Sequence, residues 1–209
     1  MDGSSREQHY IGRIDGITAV ILAGGTSSRM GSNKALLTVD GAPLIEGIYR
    51  TLARLFREVI LVTNTPGEYT FLPCPMVGDR YPGAGPMAGL HAGLLASRED
   101  RIFLTACDTP FLSPDVIRMI CAVDGEYDAV VPVGPGGKEP LQALYRRRCL
   151  AMVEQALEQG DGKLLNLLDR LRTRLVTPEE LAVIPDAAVS FCNVNTPEEY
   201  ATLVSTHQP

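Results

Sequence analysis

A glycine-containing segment with two cationic side chains follows the first apolar run of the chain. The run Ile17–Ala23 ends at Gly24 and Gly25, and the segment continues to Arg29 and Lys34. Glycine lets the backbone approach a ligand closely, successive peptide N–H groups donate to phosphate oxygens, and a phosphate chain needs nearby positive charge. The segment is therefore predicted to bind nucleotide phosphates. The alternative is that the two glycines only close a turn.

The spacing of this segment differs from two common nucleotide-binding motifs. A Walker A loop places its lysine between Gly and Ser or Thr, whereas Lys34 lies between Asn33 and Ala35. A dinucleotide fingerprint fits loosely over residues 83–88, but Pro86 lies inside it. Neither motif is assigned.

Acidic and amide side chains follow other apolar runs. Asp108 follows the run Arg101–Ala106 with only Cys107 between them, while Asn64 and Asp79 follow two other runs. In open α/β sheets, ligands bind where strands end, and a carboxylate there is well placed to hold Mg²⁺ against phosphate oxygens. Asp108 is therefore a predicted magnesium ligand. A helix cap at Asp108 and a simple turn role for Asp79 are the alternatives.

Composition excludes several classes of protein. The chain has 209 residues, 45% of them hydrophobic and 21% charged, and a formal net charge of -6. An acidic protein is a poor partner for nucleic acid, and no apolar run approaches the roughly 18 residues of a membrane span. The five cysteines are scattered without a C-x-x-C pair, which favours buried, reduced thiols. Residues 1–16 are polar and lack the apolar segment of a secretory signal, so they are predicted to form a tail. A cytoplasmic protein is therefore expected.

The order of the predicted elements indicates the fold. Apolar runs typical of doubly buried strands alternate with stretches of helical periodicity, which predicts a doubly wound α/β fold with a mostly parallel sheet, in one domain over residues 17–206. Strands are predicted over residues 17–23, 58–63, 75–78, 101–106, 128–133, 141–145 and 189–192. Helices are predicted over residues 43–57, 87–96, 114–122 and 149–158, with a short last helix that begins at Thr196-Pro-Glu-Glu.

Five blocks of sequence together resemble a known family. They read Leu22-Ala-Gly-Gly-x-Ser-x-Arg-Met-Gly-x-x-Lys34, Pro82-Gly-x-Gly-Pro-x-Ala-Gly89 after Asp79, Cys107-Asp-x-Pro-Phe111, Glu139-Pro-Leu-x-Ala-Leu-Tyr145 and Asn193-Val-Asn-Thr-Pro-Glu-Glu199. The chain resembles the nucleotidyltransferases with a glycosyltransferase-A-like α/β fold, and among them the molybdenum cofactor guanylyltransferases. The first block indicates the broad family, and the others favour the molybdopterin branch.

The resemblance implies a reaction and a set of site residues. GMP would pass from GTP to the phosphate of Mo-molybdopterin with Mg²⁺ as cofactor, and a molybdoenzyme or its chaperone is a possible further partner. The implied nucleotide-binding residues are Leu22, Ala23, Gly24, Gly25, Lys34, Asn64, Asp79 and Asp108, of which Asp108 also binds the metal. The implied residues for the pterin side are Pro82, Gly83, Gly85, Glu139, Asn193 and Asn195. Arg29, Lys34 and Asp108 are the predicted catalytic residues.

The sequence leaves two other functions open. The same glycine segment serves several bases, so a cytidylyltransferase that acts on molybdopterin or another small phosphate fits the pattern as well. A non-catalytic protein that delivers the pterin cofactor is the alternative from another class, although the presence of Lys34, Asp79 and Asp108 counts against it. Glu139 also fits a surface charge, and Asn193 and Asn195 also fit a turn before the last helix.

Overall fold

A computed structural model describes residues 12–24, 34–39, 41–194 and 196–206. The predicted roles of Gly25, Arg29 and Asn195, and of the Lys34 side chain, lie outside the described residues and side chains. The strands are β1 (Ile17–Leu22), β2 (Thr38–Val39), β3 (Ala42–Pro43), β4 (Val59–Val62), β5 (Met76–Val77), β6 (Arg101–Ala106), β7 (Ala129–Gly134), β8 (Gly137–Lys138), β9 (Gln142–Arg146) and β10 (Thr173–Val176). The α-helices are α1 (Leu44–Leu55), α2 (Pro86–Ala96), α3 (Pro114–Cys121), α4 (Leu150–Glu158), α5 (Leu164–Leu168), α6 (Pro178–Leu181) and α7 (Pro197–Thr206).

The main sheet is mixed but mostly parallel, as the alternation of strands and helices predicts. Its strands lie in the order β10-β7-β9-β6-β1-β4-β5, with β8 paired to β7, while β2 and β3 form a separate hairpin. β9 runs antiparallel to both of its neighbours, and the other six strands of that order share one direction. Their carboxyl ends therefore lie along one side of the sheet, which we call the carboxyl edge. The predicted fold class is confirmed.

Both faces of the sheet are covered, which explains why β1 is an uninterrupted apolar run. Ala19 and Ile21 pack into one apolar cluster with α1 and α3, while Val20 and Leu22 pack into a second cluster with α2 and α4. A strand that is buried on both faces has no solvent side on which polar residues would alternate. The run Ile17–Leu22 therefore forms the centre of the fold and fixes the position of the turn that follows it.

Helix α2 lies unusually close to β1 because two of its residues have no side chain. A Cβ atom on Gly89 would stand 2.7 Å from Cδ2 of Leu22, and one on Gly93 would stand 2.8 Å from Cγ1 of Val20. These distances leave no room for a methyl group, so both glycines are required by packing rather than by backbone conformation. The close approach brings the first turn of α2 to the carboxyl edge.

The prediction of a strand over residues 189–192 is wrong. Residues Ala187–Phe191 form a 3-10 helix, with hydrogen bonds from the Val189 N–H to the Asp186 carbonyl and from the Cys192 N–H to the Val189 carbonyl. Three residues of this segment, Ala187, Ser190 and Phe191, are buried. Their spacing is helical, but the window is too short for sequence periodicity to separate it from a strand.

Several short elements in the second half of the chain were not predicted, namely β8, α5, β10 and α6. Helix α6 begins with a capping box, in which the Glu180 N–H donates to the Thr177 hydroxyl and the Thr177 N–H donates to the Glu180 carboxylate. The last helix begins as predicted, because the Glu199 N–H donates to Oγ1 of Thr196 at 3.2 Å. Near the other terminus, the expected tail contacts the end of α1, where the Ile14 N–H donates to the Leu55 carbonyl at 2.7 Å.

A buried carboxylate ties three segments together at the opposite end of the sheet. Asp128 accepts hydrogen bonds from Nε of Arg148 at 2.6 Å and from the Arg172 N–H at 2.8 Å, and its side chain is 7% exposed. Burial raises the pKa of Asp128, but the donors on Arg172 and Arg148 outweigh it and leave the pKa below its usual value. The ionised form is therefore the one that the fold stabilises.

Asp128→Asn should lower the free energy of unfolding at pH 7 by about 2 kcal/mol, the scale of a charge-assisted hydrogen bond. Because the pKa of Asp128 is lowered by folding, its contribution is complete above the unfolded pKa of about 3.9 and is lost as pH falls through the folded value. Urea denaturation at pH 7 and pH 3 should show the difference between the two proteins narrowing in acid. The control Asp169→Asn changes an exposed ion pair with Lys138 and should alter stability by less than about 0.5 kcal/mol. Equal effects of both changes would contradict the assignment.

Candidate active site

Four turns meet at the carboxyl edge because backbone hydrogen bonds continue beyond the ends of the strands. The Ala23 N–H donates to the Val62 carbonyl at 2.9 Å, and the Cys107 N–H donates to the Leu22 carbonyl at 3.1 Å. The Thr63 N–H likewise donates to the Val77 carbonyl at 2.9 Å. The turns that follow β1, β4, β5 and β6 therefore start side by side, as the sequence predicts for a ligand site.

Asn64 and Asp79 face each other across two of these turns. Nδ2 of Asn64 donates to Oδ2 of Asp79 at 2.7 Å, and the Asp79 N–H donates back to Oδ1 of Asn64 at 3.0 Å. The second carboxylate oxygen of Asp79 accepts from the Tyr81 N–H at 3.1 Å. The structure thus brings the two predicted nucleotide contacts together. It also shows that the Asn64 amide bonds to Asp79 and orients it.

Asn64→Asp should weaken GTP binding more than Asn64→Ala, because it replaces the bonded amide with a second negative charge that repels Asp79. We expect KM for GTP to rise about tenfold, which corresponds to ~1.4 kcal/mol, with little change in melting temperature. Gln155→Glu is the matched control, since it makes the same change from amide to acid at an exposed position on α4. Equal KM values for wild type and Asn64→Asp would show that Asp79 does not contact the nucleotide.

The turn that carries Asp108 is held on two sides. The Thr109 hydroxyl donates to the Ala106 carbonyl at 3.2 Å, and the Asp108 carbonyl accepts from the Val194 N–H at 2.8 Å. Asp108 is half-buried at the end of β6. The bond from Val194 brings the segment that contains Asn193, which is exposed, beside the predicted metal ligand.

Hydrogen bonds through Gln142 and Ser190 place Glu139 on the same side of the molecule as Asp108. Gln142 lies opposite Thr105 near the end of β6, and its Nε2 donates to the Ser190 carbonyl at 3.1 Å. Ser190 in turn accepts from the Ser113 N–H at 3.0 Å, so residues 190–194 are tied both to β9 and to the segment after β6. Glu139 begins the turn into β9, with its carbonyl accepting from the Gln142 N–H at 3.1 Å. Glu139 and Asn193 therefore both lie near the carboxyl edge, as predicted.

The Glu139 carboxylate lies in a confined space. It is half-buried, and burial raises its pKa. A Cβ atom on Gly134 would stand 2.9 Å from Oε1 of Glu139 and 3.0 Å from Cδ2 of Phe191. The glycine at the end of β7 therefore leaves the room that the carboxylate occupies. A partly desolvated carboxylate gains more from a bound N–H donor than an exposed one does.

The loop between β5 and α2 requires glycine at two positions. Gly83 has φ of 84° and Gly85 has φ of 66°, in the left-handed region that other residues rarely adopt. The Ala84 N–H donates to the Tyr81 carbonyl at 3.1 Å, which closes a tight turn between them. Pro82, Gly83 and Gly85 thus carry the chain from Asp79 to the first turn of α2 at the carboxyl edge.

The segment that begins at Lys34 and the Asp108 turn share a neighbour. Residues Lys34–Leu36 form a 3-10 helix with Ala35 buried, and β2 follows directly. Helix α7 packs against β2. The ring of Tyr200 on α7 stacks on Phe111, which closely follows Asp108, with ring centroids 5.0 Å apart. Helix α7 therefore contacts both segments, which supports the expectation that they lie on the same side of the molecule. For Lys34 this support concerns the backbone alone.

Sequence reasoning missed the residues that hold the site together. Gln142 and Ser190 were not singled out, although a polar glutamine inside the apolar block Leu141–Tyr145 was a visible signal. The Phe111–Tyr200 stack had no such signal, because the two residues are far apart in sequence. Gln142 is 2% exposed, so its amide needs hydrogen-bond partners, and a polar residue in an apolar block signals that need. An aromatic ring packs against many kinds of neighbour, so neither Phe111 nor Tyr200 signals the contact in the sequence.

Metal binding at this edge would depend on few protein ligands. Within residues 12–24, 34–39, 41–194 and 196–206, no group of three or more His, Cys, Asp or Glu side chains could hold a metal ion. Mg²⁺ in phosphate-transfer sites commonly uses one or two carboxylates together with substrate phosphates, so the half-buried Asp108 fits that pattern. The cysteines offer no alternative ligand set among these residues, because burial raises the pKa of Cys121 and of Cys149 to about 12 and so disfavours the thiolate that binds a metal.

Comparison with known proteins agrees with the geometry. A model of the MobA-like NTP transferase domain matches residues 19–175. The chain is 37% identical over 188 residues to the "Molybdenum cofactor guanylyltransferase" of Desulfosudis oleivorans, covering 89% of this chain and 93% of that protein. It is 35% identical over 191 residues to the "Probable molybdenum cofactor guanylyltransferase" of Carboxydothermus hydrogenoformans, covering 91% of this chain and 96% of that protein.

A solved structure extends the similarity to the fold. The crystal structure of molybdopterin-guanine dinucleotide biosynthesis protein A from Archaeoglobus fulgidus superposes with a TM-score of 0.76 at 26% sequence identity, covering 90% of this chain and 97% of that one. None of the helices within the described ranges has the length and apolar character that a bilayer crossing requires. With the sheet order, the four adjoining turns and these similarities in agreement, the chain belongs to the family of MobA-like NTP transferase domains and is a nucleotidyltransferase.

Proposed function

We propose that the chain is a molybdenum cofactor guanylyltransferase that transfers GMP from GTP to the phosphate of Mo-molybdopterin and releases pyrophosphate. One observation carries the proposal. The Asn64–Asp79 pair, the Asp108 turn, the loop with Pro82 and the segment with Asn193 adjoin at one edge of the sheet, in a chain whose relatives bear that name. A ligand at the carboxyl edge is the general rule for open α/β sheets.

The nucleotide half of the site is proposed over β1, β4 and β5. Backbone N–H groups of the turn Leu22–Gly25 would bind GTP together with Asn64 and Asp79, and the cations Arg29 and Lys34 would lie along its phosphates. The mutual bonds of Asn64 and Asp79 support this division, because they hold a carboxylate beside the turn that follows β4, the strand next to β1. A carboxylate in that place suits N–H or hydroxyl donors of a nucleoside.

The acceptor half is proposed over β6, β9 and β7. Glu139, Asn193 and Asn195 would bind the pterin, and Pro82, Gly83 and Gly85 would line the cleft between the two halves. The confinement of the Glu139 carboxylate supports this role, because its raised pKa marks a group that lacks full solvation and would gain from N–H donors on a ligand. Asn193 lies next to the Asp108 turn, so an acceptor bound by Asn193 would lie close to the phosphates of the nucleotide.

The proposed chemistry needs alignment and charge neutralisation, without a covalent intermediate. The terminal phosphate of the acceptor forms a new P–O bond to the α-phosphorus of GTP, and the bond to the β-phosphate oxygen breaks as pyrophosphate leaves. Lys34 and Arg29 would neutralise the charge that moves to the leaving group. Mg²⁺, held by Asp108, would supply further neutralisation at the phosphates. Transfer of the product to a molybdoenzyme or its chaperone, and a cytoplasmic location, stay predictions.

One experiment distinguishes the candidate functions. The protein is incubated with Mg²⁺, Mo-molybdopterin and each of the four nucleoside triphosphates in turn, and pyrophosphate is measured. Release with GTP alone is the expected result. Release with CTP alone would identify a cytidylyltransferase, and no release with any nucleotide, while the pterin still binds, would identify a delivery protein.

A further inference from the structure

The loop over residues 79–85, which we call the edge loop, is contacted by two residues outside the proposed site, His91 and Gly162. We call these two contacts together the brace. We infer that His91 and Gly162 are positioning residues that hold the edge loop in the shape needed by the acceptor. The inference rests on the proposed function for the part of it that concerns the acceptor. The brace itself rests on two contacts, one at Tyr81 and one at Ala84.

The first contact joins Tyr81 to His91. Their rings meet edge to face, with centroids 5.1 Å apart and an interplanar angle of 85°. His91 lies on α2 and is 2% exposed, and its Nε2 lies 3.4 Å from Oε1 of Glu154 on α4. The bond to Glu154 sets the orientation of the imidazole ring, and the ring in turn sets the position of Tyr81.

In the described part of the chain, the other nitrogen of His91 makes no hydrogen bond that would explain the choice of residue. Nδ1 is buried and has no hydrogen-bond partner among the residues that the structure describes. A buried polar atom without a partner is unfavourable, and an apolar side chain would fill the space without it. A flat ring in this orientation is therefore the property that the position supplies.

Tyr81 is the residue through which this contact reaches the whole edge loop. Its N–H donates to Oδ1 of Asp79 at 3.1 Å, and its carbonyl accepts from the Ala84 N–H at 3.1 Å. Fixing Tyr81 therefore fixes the carboxylate at the start of the loop and the turn at its end.

The second contact joins the turn between α4 and α5 to Ala84. A Cβ atom on Gly162 would stand 3.2 Å from the carbonyl carbon of Ala84 and closer still to its oxygen. The φ of Gly162 lies outside the left-handed region, so glycine is required here by contact with the edge loop. The turn is rigid, because Oδ1 of Asp161 accepts from the Lys163 N–H at 3.0 Å and Oδ2 accepts from Nδ2 of Asn166 at 2.9 Å.

Gly162→Ala tests the brace. The added methyl group must displace the backbone of Ala84, since neither backbone can give way as a flexible side chain would. We expect amide hydrogen exchange in the peptide that covers residues 79–85 to be about tenfold faster or more, and KM for Mo-molybdopterin to rise about fivefold or more. KM for GTP should rise as well, because Asp79 begins the loop, while kcat should stay within about twofold. Gly47→Ala is the matched control, because a Cβ on Gly47 meets no atom within 4 Å.

His91→Ala and His91→Phe test the same brace without touching Gly162. The alanine variant removes the ring and should speed exchange in the edge loop. Phenylalanine keeps a ring against Tyr81 but loses the bond to Glu154, so it should bring exchange and KM most of the way back to wild type. Unchanged exchange in both Gly162→Ala and His91→Ala, or the same change in Gly47→Ala, would overturn the inference. Exchange needs no substrate, so it tests the brace even if wild type releases no pyrophosphate, a result that would defeat only the proposed function.

Discussion

Asp108→Ala is expected to lower kcat more than ~10-fold and to leave the protein folded. The Asp108 turn is held by its backbone carbonyl and by the Thr109 hydroxyl, and neither bond uses the carboxylate. Removing the carboxylate therefore takes away a charge at the end of β6 without removing those two bonds. If that charge holds Mg²⁺ at the phosphates, its loss removes stabilisation of the transition state rather than stabilisation of the fold.

Pyrophosphate release over a range of Mg²⁺ concentrations measures this prediction. Asp108→Asn keeps the shape of the side chain and removes its charge, so it should behave like the alanine variant and require more Mg²⁺ for half-maximal rate. The control Asp15→Asn removes one charge from an exposed ion pair with Arg57 and should match wild type. Wild-type rates in Asp108→Ala, with an unchanged Mg²⁺ requirement, would remove Asp108 from the mechanism.

The parts of the fold that the sequence predicted are those set by local pattern. β1 and β6 were found because strands buried on both faces are apolar without interruption, and both end within one residue of the predicted position. The turns after them could then be placed at one edge, since parallel strands share a carboxyl edge. This reasoning placed the turns that carry Asn64, Asp79 and Asp108 at one edge of the sheet.

Helices α6 and α7 begin with the same sequence signal, which led to a prediction at only one of them. Thr-Pro-Glu-Glu occurs at Thr177 and again at Thr196, and in both places the threonine caps a helix. The second occurrence predicted α7, while the first was overlooked and α6 with it. The same capping chemistry operates at both positions, because threonine accepts from the N–H three residues on and proline fits the first turn.

What the sequence could not reveal depends on contacts between distant segments. The Asn64 amide orients Asp79, and Gly134 leaves room for the Glu139 carboxylate, but neither relation has a periodicity or a motif. The prediction of a strand over residues 189–192 is wrong for a similar reason, since Ala187–Phe191 is a 3-10 helix. Its Ser190 is held by Gln142 and Ser113, and those tertiary bonds favour a 3-10 turn over an extended strand.

Lys34→Ala is the second large effect that we expect, a fall in kcat of more than ~10-fold together with weaker GTP binding. Lys34 begins the 3-10 helix that follows the glycine segment, and the buried Ala35 and the β2–β3 hairpin fix the backbone beside it. A lysine acts on phosphate as a point charge, so its loss should matter most where negative charge builds up on the leaving pyrophosphate.

The decisive comparison is between Lys34→Ala, Lys34→Arg and Arg50→Ala. Arg50 is an exposed cation on α1 paired with Glu46, so Arg50→Ala removes one positive charge without touching the site and should keep wild-type kcat. Lys34→Arg keeps the charge in a different shape and should recover part of the rate. Added salt screens charges, so it should slow wild type, which uses the Lys34 charge, more than it slows Lys34→Ala. The difference in kcat between the two proteins should therefore shrink as salt is added. If Lys34→Ala and Arg50→Ala gave the same kcat at low salt, net charge would account for both results and the assignment of Lys34 to the phosphates would fail.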